Sequence, residues 1–203
     1  MTSFTVVRHG ETIWNLNNKI QGHKDSDLTP MGELAAHNVG IELSKESFHV
    51  RETSDSGRAV QTMEAIMAER MEENGYFITP QLRERNLGII EGLTMREFSK
   101  EYPYKHKKFI EMTPDYVIPG GESIRETYNR CVSYVENLVK ELPGQKILIV
   151  THHGVIDNFY RKANGLPLSG KLYDCANCSI SRFFISDGKW IMVSYNETKH
   201  LLG

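Results

Sequence analysis

The sequence predicts an α/β fold on a mostly parallel sheet, and three observations carry that prediction. Ser3-Phe4-Thr5-Val6-Val7 and Ile147-Leu148-Ile149-Val150 are short β-branched and apolar runs of the kind that become buried parallel strands. Segments of helical periodicity separate the strands, so that strand and helix alternate along the chain. Both runs lead into histidine, at Arg8-His9 and at Thr151-His152-His153. The carboxyl ends of parallel strands are where open α/β sheets bind ligands.

After the first strand, Arg8-His9-Gly10 joins two cation-forming side chains to a glycine that lets the backbone come close to a ligand, which reads as a phosphate site. Ile13 to Asp27 follows as a polar, irregular loop carrying Asn15, Gln21, Gly22 and His23 over the strand end. Thr29 caps a helix with Pro30 at its first position, and Met31, Ala35, Val39 and Leu43 recur at four-residue spacing as its core face. A weak strand over Phe48 to Thr53 leads through Ser54-Asp55-Ser56-Gly57 into a second helix, marked by Ala59, Met63, Ile66 and Met67 and stopping at Gly75. Arg58 falls in its first turn, where free N–H groups and the helix dipole favour an anion.

Tyr76 to Thr79 predicts a third strand that delivers Leu82-Arg83-Glu84-Arg85-Asn86-Leu87-Gly88 into a loop. From residue 94 to 119 the pattern turns polar, aromatic and basic, and predicts an inserted lid; its charge pattern fits a solvated helix face equally well. Tyr104, Lys105, Lys107 and Lys108 suggest that such a lid meets a second anionic or aromatic group. Ser123 and Glu126 have capping-box spacing and open a long amphipathic helix through Ile124, Tyr128, Cys131, Val135, Leu138 and Leu142 to Pro143-Gly144. Beyond the strand at 147–150 come another helix, to about Asn164, and two closing strands, Ser179 to Ile185 and Trp190 to Tyr195. There is no repeat, low-complexity tract or linker, and residues 1–203 are expected to form a single domain.

Composition removes several classes of function. The 24 Lys and Arg against 26 Asp and Glu leave a net charge of -2, which gives no basic field to attract nucleic acid. No apolar run reaches membrane-spanning length and no signal peptide precedes the first strand, so the expectation is a soluble, cytoplasmic protein with no membrane partner. Cys131, Cys175 and Cys178 are an odd number and build no disulfide framework. Cys175-Ala176-Asn177-Cys178 has CxxC spacing, but it lacks the second pair a zinc site needs and runs into a strand rather than a helix. Structural cysteines are the expectation.

Two strands that end in histidine, one beside an arginine, and a helix start with a second arginine would surround a phosphoryl group with cations and N–H donors. No clustered carboxylates of the kind that hold magnesium are evident, and a histidine nucleophile fits better than a metal. The sequence resembles the histidine phosphatase superfamily, the fold of the cofactor-dependent phosphoglycerate mutases. Arg8-His9-Gly10-Glu11-Thr12 with Trp14-Asn15, Gln21-Gly22, Asp27-Leu28-Thr29 with Gly32, and Thr53-Ser54 with Gly57-Arg58-Ala59 carry the match in the first part of the chain. Leu82-Arg83-Glu84, Leu87-Gly88, Glu91-Gly92, Pro119-Gly120-Gly121-Glu122-Ser123, Val150-Thr151-His152 and Asn196-Glu197-Thr198 with His200 continue it in order. So many ordered blocks are far more specific than any single short motif.

The resemblance implies a three-layer α/β/α sandwich of the phosphoglycerate mutase type and a set of roles. His9 would be the nucleophile that becomes phosphorylated, Arg8, Arg58 and His152 would hold the phosphoryl oxygens, Asn15 and the Gln21-Gly22 turn would add neutral donors, and Glu84 would be the general acid. The chemistry is coherent, because His9 must be neutral to attack and two arginines disfavour its cationic form. Glu84 must keep a proton for the leaving oxygen, and a dianionic phosphate beside it acts in that direction. No metal or organic cofactor is expected.

One departure stands out: the family usually has glycine after the second histidine, whereas here His153 intervenes before Gly154. The strand register favours His152 as the catalytic one, leaving His153 either narrowing the pocket or facing solvent at a helix start. The leading function is a metal-independent phosphomonoesterase acting on a small phosphorylated metabolite, close to the short broad-specificity and α-ribazole phosphatases. The alternative is phosphoglycerate mutase, whose members carry extra segments that shield the phosphoenzyme. A third reading, a binding module that only recognises phosphorylated protein, predicts loss of His9 or Glu84, and both are present.

Overall fold

The computed structural model describes residues 1–70 and 75–201. Its strands are β1 (Thr2–Arg8), β2 (Val50–Ser54), β3 (Phe77–Thr79), β4 (Lys146–Thr151), β5 (Ile180–Ser186) and β6 (Lys189–Glu197). The helices are α1 (Ile13–Leu16), α2 (Pro30–Glu42), α3 (Gly57–Arg70), α4 (Met95–Glu101), α5 (Pro103–Ile110), α6 (Ile124–Glu141) and α7 (His153–Asn164). The strands form one sheet in the order β3-β2-β4-β1-β5-β6. β3, β2, β4 and β1 are parallel, and the hairpin β5–β6 extends the sheet antiparallel from β1.

Covering both faces of the sheet explains why the central strands read as continuous apolar runs rather than alternating ones. Phe4, Val6, Ile147 and Ile149 pack on one face with Val132 and Val135 of α6 and Val155 and Phe159 of α7. Val7, Leu148 and Val150 point the other way, into a second core with Val39 of α2 and Met63 and Ile66 of α3. That is the three-layer α/β/α arrangement. Helix α6 starts at the expected capping box, with Ser123 and Glu126 bonded reciprocally, and α7 ends on Gly165 in the left-handed conformation at φ 63°.

Several expectations change. Met31 is 66% exposed, and the buried side of α2 is Gly32, Ala36, Val39 and Gly40. A strict four-residue spacing drifts around a helix of 3.6 residues per turn, and glycines took the contact positions. A Cβ on Gly40 would lie 2.7 Å from the Ile66 carbonyl oxygen, so the two helices approach at backbone distance. Residues 13 to 27 are not wholly irregular, since Thr12 caps the single turn α1 through a capping box with Asn15. Phe48 lies ahead of β2 yet is buried, and the expected end of the second helix at Gly75 cannot be placed beyond Arg70 because residues 71–74 lie outside the described ones.

The segment expected as a lid holds α4 and α5 around a small core of its own, Ile90, Phe98 and Ile118. Among the described residues no helix is long and apolar enough to cross a membrane. Cys131, Cys175 and Cys178 are unpaired and buried. Burial pushes the Cys131 and Cys178 thiols up to about 12, so neither forms a reactive thiolate.

Gly10 has a packing role, because a Cβ there would stand 2.7 Å from the Gly32 carbonyl oxygen. Gly32 is tighter still, its Cβ position lying 2.1 Å from Glu11 O. Alanine is the better helix former by about 1 kcal/mol, yet Gly32→Ala is expected to destabilise the fold by about 1–3 kcal/mol through overpacking. A urea midpoint equal to or above that of the parent would contradict this reading of the α2 start.

Candidate active site

The register of β1 on β4 builds the site. Arg8 pairs with Thr151 and Thr53 of β2 pairs with Val150, so the residues that follow, His9, His152 and Ser54, emerge side by side at the carboxyl ends of three adjacent strands. The His9 and His152 rings lie 5.2 Å apart. His152 is fully buried, with Nε2 2.8 Å from Ser54 Oγ and Nδ1 3.1 Å from Nη2 of Arg58. A guanidinium can only donate, so Nδ1 of His152 accepts and Nε2–H donates to the serine.

His9 has the opposite tautomer. Its Nδ1 lies 2.8 Å from the Gly10 carbonyl oxygen, which can only accept, and this leaves the lone pair on Nε2. Burial first, then the guanidinium groups of Arg58 and Arg8, hold the His9 imidazole well below its ordinary value. The same causes, with His9 itself added, act on His152. Two buried neutral imidazoles therefore face two guanidinium groups.

Arg58 reaches into this cluster from the first turn of α3. Its Nη1 donates to Lys24 O and to Asp25 Oδ1, each at 2.9 Å, and its Nη2 donates to Gly22 O at 2.9 Å. The backbone N–H of the α3 start faces Asp25 at 3.4 Å, so the helix terminus serves a carboxylate of the protein rather than an external anion. Arg8 donates from Nη1 to Cys175 O, and burial lowers its pKa. Both arginines keep a buried Nε–H without a partner. Orphaned charged donors are costly to bury, and the two guanidinium groups that carry them both act electrostatically on His9.

Glu84 arrives on the loop after β3. Its Oε1 accepts from Arg85 N at 2.8 Å, and its Oε2 accepts from Gly154 N, a free N–H at the start of α7, at 3.0 Å. Any side chain at Gly154 would collide with Glu84, the Cβ position being 2.4 Å from Oε1. The glycine displaced by His153 is thus still needed one residue later. Asn15 and Gln21 spend their side-chain carbonyls within the loop, on Thr12 N and on Thr12 Oγ1. Gly22, at φ 58°, abuts Glu91, and its carbonyl orients Arg58.

Arg8, His9, Asn15, Gln21, Gly22, Arg58, Glu84 and His153 line one cleft of about 640 Å³. His152 sits beneath them rather than on the wall. His153 is half-buried, with Nε2 2.7 Å from Tyr173 O, which ties it to the loop that supplies Gly170, Lys171, Leu172 and Asp174 to the cleft. Tyr104, Lys105, Lys107 and Lys108 do not reach it: Tyr104 is 72% exposed, Lys105 stands over the Tyr102 ring and Lys108 bonds Glu111. The opposite side of the same segment does, through Met95, Phe109, Ile110 and Met112. Helix α5 is amphipathic, and packing against Phe98 turned its apolar side inward.

Other framing residues carried no reading of their own in the sequence. Asn177 Nδ2 donates to His9 O and Gly10 O, holding the strand end from the CxxC loop. Glu91, buried, accepts from the backbone N–H groups of His23, Lys24 and Leu87. Arg130 on α6 bonds Glu122 and donates to the Glu84 carbonyl. The signal for Glu91 and Glu122 lay in the ordered sequence blocks; for Asn177 there was none. Among the described residues no three His, Cys, Asp or Glu side chains cluster as a metal site.

The depressed histidines make stability depend on pH with a definite sign. As pH falls below about 6.5 the unfolded chain protonates first, so stability present above that pH is lost below it, by up to about 1.4 kcal/mol per pH unit for each histidine. Urea unfolding between pH 7.5 and pH 5.5 should show this loss. His9→Asn should reduce the slope; an unchanged slope would show that His9 takes up protons equally in both states.

The model of the histidine phosphatase superfamily (branch 1) matches residues 4–198. The chain is 38% identical over 200 residues to phosphoglycerate mutase-like protein 4 of Arabidopsis thaliana, covering 97% of this chain and 85% of the relative. It is 31% identical over 202 residues to a metal-independent phosphoserine phosphatase of the same plant, covering 99% and 84%. Among solved structures, a phosphoserine phosphatase variant from Entamoeba histolytica with phosphoserine bound superimposes with a TM-score of 0.86 at 27% identity, over 100% of both chains. The chain belongs to the histidine phosphatase superfamily, branch 1, and is an enzyme of its phosphomonoesterase type.

Proposed function

We propose that the protein hydrolyses a small phosphomonoester in two steps through a phosphohistidine on His9. The carrying observation is the tautomer: Nδ1–H is held by the Gly10 carbonyl, and Nε2 keeps its lone pair beside two arginines with unpartnered Nε–H groups. Nε2 attacks phosphorus in line with the ester oxygen; the N–P bond forms as the P–O bond breaks, and Glu84 gives its proton to the departing alcohol. A water then enters, Glu84 takes its proton, the oxygen attacks phosphorus, and inorganic phosphate leaves with His9 neutral again.

Arg8 and Arg58 stabilise the oxygens through both steps, with Asn15, Gln21 and the Gly22 turn as neutral donors. His152 acts from below, its Nδ1 accepting from Arg58 Nη2 and so orienting that guanidinium for the phosphoryl group. Side-chain cations supply the charge that a metal would otherwise bring. The unpaired buried thiols suit a reducing cytoplasm.

Hydrolysis is favoured over mutase chemistry by the width of the cleft. A mutase must keep water from its phosphoenzyme, and about 640 Å³ is far more than a phosphoglycerate fills. Supplying 3-phosphoglycerate with and without 2,3-bisphosphoglycerate, and following phosphate and 2-phosphoglycerate together, should show phosphate release dominating and no stimulation by the bisphosphate. Isomerisation faster than hydrolysis would make the enzyme a mutase.

The two adjacent histidines separate by position. His152→Ala should lose about 100-fold or more in kcat/KM, as expected for a group acting on the transition state, and His153→Ala less than about tenfold. The reverse order would exchange their roles.

A further inference from the structure

Resting on the phosphatase reading above, we infer that Asn158 is a further substrate-binding residue, whose side-chain carbonyl selects phosphomonoesters of an alcohol carrying a hydroxyl on its second or third carbon. Asn158 lies on the buried side of α7, is 3% exposed and lines the cleft. Its one hydrogen bond among the described residues is weak, from Nδ2 to Cys131 Sγ at 3.8 Å. The Cys131 thiol gives its own proton to Tyr128 O at 3.6 Å, so the sulfur can only accept. That turns the amide nitrogen to the sulfur and leaves Oδ1 free at the other end of the amide.

Helical spacing sets this carbonyl beside the leaving group. Asn158 follows Gly154 by four residues on the same face of α7, where Cβ atoms stand about 5–6 Å apart and side chains lean toward the helix start. Gly154 has no side chain to fill the space below, and Glu84 occupies it. Oε2 of Glu84 accepts from Gly154 N at 3.0 Å, and Oε1 lies 2.4 Å from where a Cβ on Gly154 would stand. Glu84 also acts electrostatically on the Cys131 thiol that Asn158 touches. An alcohol protonated by Glu84 therefore runs along the Asn158 side of the cleft, with its second or third carbon in reach of Oδ1.

The other amides and the hydroxyl that line the cleft are already committed. Asn15 and Gln21 give their carbonyls to Thr12 N and Thr12 Oγ1, and Thr127 donates its hydroxyl to Ser123 O at 3.1 Å. A buried amide carbonyl without a donor carries an uncompensated desolvation cost, which a donor on the ligand removes. A site that bonds a substrate hydroxyl discriminates against the analogue lacking it, because that analogue leaves the protein group unmet.

The test compares chain-matched esters, 2-hydroxyethyl against propyl phosphate and 3-hydroxypropyl against butyl phosphate. A third ester, 2-methoxyethyl phosphate, shares the electron withdrawal of the hydroxyethyl ester but has no proton to donate. At least one hydroxyl ester should exceed its alkyl partner by about tenfold in kcat/KM, with the methoxy ester within about twofold of butyl phosphate. Asn158→Leu, nearly equal in size, and Asn158→Ala should each bring the hydroxyl-to-alkyl ratio to about one or below. Comparing esters within one variant cancels any loss of folded enzyme. A ratio near one in the parent, an equal gain for the methoxy ester, or a raised ratio that survives either substitution would overturn the inference while leaving the phosphatase reading intact. Absence of phosphate release from every ester would overturn both.

Discussion

Everything at the site depends on the parallel pairing of β1 with β4. Placing Arg8 opposite Thr151 brings His9 and His152 out of the sheet together, and placing Thr53 opposite Val150 sets Ser54 beside them. A slip of one residue in either pairing would turn the alternate side chains to the other face. The two cores forbid this, because Phe4 and Val6 belong with α6 and α7 while Val7 belongs with α2 and α3. Packing across both faces of the sheet thus holds the register that sets His9 beside His152.

The cluster held there is unfavourable by itself. Two imidazoles are kept neutral by burial and by guanidinium groups, and Asp25 is the carboxylate that pairs with Arg58. Two buried Nε–H groups have no acceptor of their own. Hydrogen bonds to the protein already fix both guanidinium groups, so their charge is placed beside His9 before any ligand arrives. The cost is met by the rest of the fold, which is why stability and function share the same pH-sensitive groups.

Loops rather than regular elements complete the cleft, and buried charge pins each of them. Glu91 ties the loop at 21–24 to the one at 87–91, and the Arg130–Glu122 pair clamps the backbone of Glu84. On α7 the Asp157–Arg161 pair is almost fully buried, with Nε and Oδ2 2.6 Å apart; the arginine also donates to the carbonyls of Pro167, Ser169 and Lys171, while Asp157 receives Tyr173 N. With His153 on Tyr173 O, one face of α7 grips the loop that walls the cleft. Removing one partner of such a pair costs about 3–5 kcal/mol, so these positions resist substitution for structural reasons.

Strand order along the chain, the capping box and length of helix α6 and the residues that meet beside His9 were legible in the sequence, because hydrophobic period and short local motifs depend on neighbours within a few positions. The contact face of α2 was legible in part: Val39 and Leu43 are buried as expected, but Met31 is exposed and Gly32, Ala36 and Gly40, admitted by close approach of the backbone, complete the buried set. The orientation of α5 was not legible: a helix with lysines on one side and Phe109 and Ile110 on the other gives no sign of which side meets the cleft until Phe98 packs beneath it. His153 shows the division most plainly. Counting along β4 places it one residue past the strand-end histidine, but only the return of the chain at Tyr173 decides that its ring clasps a loop, and only the approach of Glu84 decides that the glycine must follow it at 154. The sequence by itself determined which residues stand at the strand ends, through periodicity and local motif; the tertiary structure decided what faces them, because those partners come from segments distant along the chain.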